Sequence, residues 1–296
     1  MVVLIMPRMA FCQLTNYDEN GKKISFFSEK DSISVTKISV EKQSVVSLLL
    51  GAIGPAIGVG IDVARTVFEK REESYTATYS AYYTGSGFYA DNKFTLERIK
   101  LYRLTKRDEN AKQDTASKIV LLFVANANDP GMFRLKVDNI SLTNSKARIR
   151  KHGENGKTID ISINVKIDAS WRDYSVDKDN KNNVLYSIKS SSLGESSIIV
   201  TGLKPGKPKV FGNDNSLYSN WFQSIPNFLP NDLGTSDRAS EERNRGWYTI
   251  TVTIKEANPY GVSSNTLNSF LKNNGTDVST FLKSFVPSSS SSSEKK

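Results

Sequence analysis

The chain has 296 residues, 38% of them hydrophobic and 10% aromatic, and 40 Lys and Arg against 31 Asp and Glu give a formal charge of +9. That suits one large or two ordinary globular domains, while a single cysteine, Cys12, excludes an intrachain disulfide framework and a single histidine, His152, leaves almost no room for Cys/His metal sites. The basic excess favours acidic partners without requiring them: its densest clusters, Arg98, Lys100, Arg103, Lys106 and Arg107, then Arg148, Arg150, Lys151 and Lys157, all have carboxylates or amides close by, so a nucleic-acid partner is not the expectation.

At the N-terminus, "MVVLIMPRMAFCQL" has too short an apolar run before Pro7 and Arg8 for a signal peptide, and Phe11 is too bulky for lipoprotein cleavage at Cys12. Either Met1 or Met9 serves as the native start, and the compartment stays open. "KKISFF" and "SISVTKISV" then read as strands separated by "SEKD".

The most apolar passage is "SVVSLLLGAIGPAIGVGIDVARTVF", residues 44–68. A phosphate loop is ruled out by Ile61 and Asp62 after Gly58 and Gly60, and by Val63 where a dinucleotide fingerprint needs its third glycine. No charge occurs from Gln43 to Ile61, a length of about 28 Å as one helix, just short of a ~30 Å hydrocarbon core. Ser47, Gly51, Gly54 and Gly58 fall within a sector of about 60° and form a groove of missing side chains, a contact face for another backbone. Gly54-Pro55 is also a natural break. The favoured reading is a Gly-rich helix packed on a sheet; the alternative is membrane insertion through 44–68.

From residue 75 the dominant period is two. "SYTATYSAYY" sets Tyr75, Ala77, Tyr79, Ala81 and Tyr83 in one row. "KIVLLFVANA" is apolar on both faces, as a central strand covered twice would be. In "FRLKVDNISL" the inward set runs Phe133, Leu135, Val137 and then Ile140, Leu142, which predicts a β-bulge at Asp138 and Asn139. "TIDISINVKIDASW" places Ile159 through Trp171 inward at alternate positions, and "YTITVTIKEA" does so with Tyr248, Ile250, Val252 and Ile254. Turn clusters ("TGSG", "NDPG", "HGENG", "KDNKNN", "LKPGKP", "GNDN") punctuate these runs. Before the last strand, "SNWFQSIPNFLP" offers Trp221, Phe222 and Phe228 as either a partner-binding loop or a plug closing one end of the fold. Beyond residue 262, "SSNTLNSFLKNNG" and "TDVSTFLKSF" read as two short amphipathic helices, and the Ser-rich tail has nothing to bury.

The fold class that follows is α+β, mainly antiparallel β in a sandwich or barrel-like arrangement. Its expected parts are 1–73 (N-terminal strands and the apolar helix), 74–262 (β domain), 263–286 (two helices) and 287–296 (disordered tail). Catalytic signatures are weak throughout. His152 sits in a polar turn without a nucleophile motif. Asp177 and Asp179 resemble the first ligands of a calcium loop, but Lys181 and Asn182 occupy positions that need a ligand and a glycine. No cofactor or metal is expected. The function expected is non-enzymatic binding or assembly with a protein partner or with itself. A membrane-inserting or pore-forming protein is the alternative, and a carboxylate-dependent enzyme a second.

Overall fold

The computed structural model describes residues 14–38, 75–90, 93–129, 131–149, 157–176, 184–212, 216–226 and 246–261, with the pairs 236–237, 267–268 and 271–272. These form mainly antiparallel sheets. In one, five strands run in the order β12 (Lys209–Val210), β9 (Met132–Leu142), β8 (Asp114–Ala125), β7 (Leu96–Lys106) and β3 (Ser28–Lys37), and β13 (Phe222–Gln223) pairs with the opposite end of β9 to make it six-stranded. The second is four-stranded, in the order β11 (Val184–Leu203), β10 (Ile159–Val176), β14 (Gly246–Ala257), β4 (Thr76–Ser86). Two small hairpins, β1 (Leu14–Tyr17) with β2 (Lys23–Phe26) and β5 (Tyr89–Ala90) with β6 (Lys93–Phe94), complete the described fold.

The period-two rows build the interior. On β10, Ile163, Val165, Ile167 and Ala169 lie opposite Ile254, Val252, Ile250 and Tyr248 of β14, and all are buried. They join Ile99, Leu101, Ile119, Leu121, Leu135 and Val137 of the other sheet in one core. Fully burying each such aliphatic side chain contributes roughly 1.5–3 kcal/mol. The tyrosine row of β4 also faces in, with Tyr79 and Ala81 buried and Tyr83 packed against the core.

The bulge falls where the spacing placed it. Val120 pairs with Asn139 and Leu121 with Val137, leaving Asp138 as the extra residue; its carbonyl accepts from the Phe211 N–H beside β12. Gly194 marks a second irregularity. Ile167 faces Gly194 while Asp168 faces Ser192, and with φ of 141° and the Phe222 ring 3.1 Å from where a Cβ would lie, the position suits glycine on two counts.

Several expectations change. "SEKD" is not a separator: Ser28 to Asp31 open β3 and pair with Lys106 to Arg103, and the Glu29 side chain meets Arg103 and Lys146 inside the fold. Trp171 packs against the core but is only partly buried, at the edge where β14 ends opposite it at Gly246. Past that pair, β10 and β11 continue as a two-stranded ribbon to Val176 and Val184. The Gly-rich helix over 44–68 lies outside the described residues. Of the two C-terminal helices, only Leu267, Asn268, Leu271 and Lys272 are described, and they are helical.

Candidate binding surface and a buried ion cluster

Alternation along the six-stranded sheet sorts the basic residues that crowd together in sequence. Arg103 is in phase with Ile99 and Leu101 and points inward; Arg98, Lys100, Tyr102, Leu104 and Lys106 point outward. The register then builds rows across the outer face. Thr36, Arg98, Leu122 and Lys136 form one; Ser34, Lys100, Val120 and Asn139 the next; Ser32, Tyr102, Lys118 and Ser141 a third. Val120 is only 2% exposed although it points out. Lys118 Nζ lies 6.0 Å from the centroid of the Tyr102 ring. The carboxylates nearby are engaged, Glu97 with Arg98 and Asp138 with the Asn139 side-chain amide at 2.8 Å.

At the β9 edge, the aromatic loop divides its residues between core and surface. Phe222 is fully buried, stacked on Phe133 with centroids 5.5 Å apart and planes 11° apart, in a ring cluster that also holds Phe88, Phe94, Phe123 and Tyr248. Its neighbour Trp221 turns outward and stays 40% exposed, with Tyr218 39% exposed beside it. Arg134 reaches both rings, its Cζ 3.7 Å from the Tyr218 centroid and 4.7 Å from that of Trp221. The Ser219 backbone N–H donates to the Leu135 carbonyl and the Ser219 hydroxyl accepts from the Leu135 N–H, so β9 itself fixes this segment. Phe222 therefore closes the interior here, while Trp221 stays at the surface. Phe228, and the groove residues Ser47, Gly51, Gly54 and Gly58, lie outside the described residues, as do His152, Asp177 and Asp179.

At the opposite end of the interlayer sits a buried ion cluster that the sequence did not reveal. Glu256, fully buried, bonds Arg103 Nη1 at 2.9 Å through one oxygen, which also accepts from Tyr79 OH at 2.9 Å. Its second oxygen accepts from Ser145 Oγ at 2.7 Å and from the N–H groups of Lys146 and Ala147 at 2.7 and 3.3 Å. Lys146 Nζ meets Glu29 Oε1 at 2.6 Å, and Arg103 Nη2 donates to the Asn144 carbonyl. Burial pushes the Glu256 carboxyl up, but the Arg103 charge and the hydrogen bonds outweigh it and hold the group below the ordinary carboxylate range. Asp31, opposite Arg103 on β3, goes the other way. Burial raises it to about 6, with Lys146 opposing and Glu29 adding. The signal in the sequence was phase: Asp31, Arg103 and Glu256 each prolong an apolar row.

These carboxylates converge, yet Glu29 and Glu256 are sealed from solvent and paired with Arg103 and Lys146, and Asp31 is buried beside them. Among the described residues no group of Cys, His, Asp and Glu is arranged to hold a metal ion, and no helix is long and apolar enough to cross a membrane. The chain matches no protein-family model and no curated relative.

Proposed function

We propose that this chain is a non-enzymatic binding protein that meets its partner through the outer face of the six-stranded sheet. The observation that carries the reading is the exposed stack of Tyr218, Arg134 and Trp221, built from two chain segments and held by backbone hydrogen bonds to β9. Large rings are costly to leave wet, and a fixed Trp–Arg–Tyr surface is the composition of a binding hot spot. The buried charges, by contrast, serve the fold. The test compares retention of partner by the full chain and by two variants. Trp221→Ala should lose it, while Trp247→Ala, which removes a tryptophan 44% exposed on the four-stranded sheet, should keep it. Equal retention by both variants would overturn the assignment of the surface.

A further inference from the structure

We infer that the partner of this face is a single-stranded polynucleotide, an inference that rests on the outer face of the six-stranded sheet being the contact surface. Folding changes what the basic clusters mean. In sequence, Arg103 stands among Arg98, Lys100 and Lys106, with Asp108 and Glu109 following; in the fold, Arg103 is drawn inside to Glu256, and Asp108 and Glu109 go to the turn beyond β7. What remains outward is Arg98, Lys100 and Lys106, joined across the strands by Lys118, Arg134 and Lys136, with hydroxyls of Ser32, Ser34 and Thr36 along the β3 edge. Adjacent strands lie about 4.8 Å apart and same-face residues about 7 Å apart along a strand. The cations thus form a continuous field rather than scattered points.

Three features select the kind of polyanion. Rings sit within the charge: the exposed Trp221 and Tyr218 at one edge, and the half-buried Tyr102 beside Lys118. Stacking on such rings with phosphates tracked by Lys and Arg is how unpaired strands are held. A duplex fits poorly, because four to five strands side by side make a face roughly 15–20 Å wide, and a major groove of about 12 Å admits only a helix or a two-stranded ribbon. A lipid surface needs apolar groups standing proud of the charges, whereas here Val120 is buried and its neighbours Leu122 and Val124 are partly buried.

The experiment is fluorescence anisotropy of the full chain with labelled oligo(U) and oligo(dT) of about 20 nucleotides, titrated from about 50 to about 200 mM salt. Affinity should fall linearly in log salt, with a slope of about −0.7 per phosphate neutralised, and a Lys100→Ala/Lys118→Ala double variant should flatten that slope by about 1.4 units. Trp221→Ala should weaken binding roughly ten-fold at unchanged slope, while Trp221→Phe and Trp247→Ala retain it; heparin, which has charge but no bases, should bind with no dependence on Trp221. Failure of both oligonucleotides to bind at low salt overturns the inference. If anionic phosphatidylserine vesicles are then bound and lost on Trp221→Ala, the contact surface stands and only the polynucleotide falls. Oligonucleotide binding equally impaired by Trp247→Ala overturns both.

Discussion

The two ends of the space between the sheets solve the same packing problem by opposite means. At one, Phe88, Phe94, Phe133, Phe222 and Tyr248 fill the gap with rings 4.8 to 6.4 Å apart. At the other, eight residues further along β14, Glu256 gathers Arg103, Tyr79, Ser145 and two backbone N–H groups. Ring packing is additive in area and indifferent to pH. An ion cluster is all or nothing, since desolvation is repaid only when every charge keeps its partner.

Breaking the comparison starts with its strongest case. Glu256→Ala should cost about 3–5 kcal/mol, because it strands Arg103 in the interior; urea unfolding would measure it. The paired change Arg103→Met/Glu256→Leu should cost far less than the sum of its parts, and a strictly additive result would mean that the cluster is not a unit. Phe222→Ala should cost roughly 3–5 kcal/mol through the lost ring and the cavity it leaves, with no change in its pH profile. Asp31→Asn sharpens the contrast. The folded pKa of Asp31 is raised to about 6, so the native state holds its proton more tightly than the unfolded chain. Its contribution is full below about pH 4 and is lost as pH rises through about 6, a change on the order of 3 kcal/mol. The variant should remove that fall, leaving the opposite, acid-side loss from Glu256, whose folded pKa is lowered. A stability curve across pH 4–7 unchanged by Asp31→Asn would show that the group is not buried as described. Smallest is Trp221→Ala, expected within about 0.5 kcal/mol of wild type as a surface change, next to a residue whose loss is severe.

Much of this was legible. The rows of β4, β10 and β14 follow from alternation alone, and the extra residue at Asp138 follows from its failure. What alternation could not supply was the identity of partners. Asp31, Arg103 and Glu256 lie in phase with apolar residues, but nothing local says that strands 153 positions apart will bring Arg103 to Glu256. A polar residue in an apolar row reads as a separator between strands in "SEKD" and as part of a basic cluster at Arg103. For the loop, residue type alone could not say which ring would be buried, and the fold buries Phe222 while leaving its neighbour Trp221 exposed.

The place of β14 in its sheet bears on how the molecule comes into being. It is the last strand in sequence among those described, yet it lies between β10 and β4, and it carries Glu256. Until residues 246–257 leave the ribosome, β4 and β10 each have an open edge, and Arg103 has no carboxylate from that side. Contacts of such sequence separation form slowly, and open edges invite pairing with other chains while they wait. A nascent chain halted before Gly246 should therefore be a substrate for chaperones rather than a smaller version of the fold.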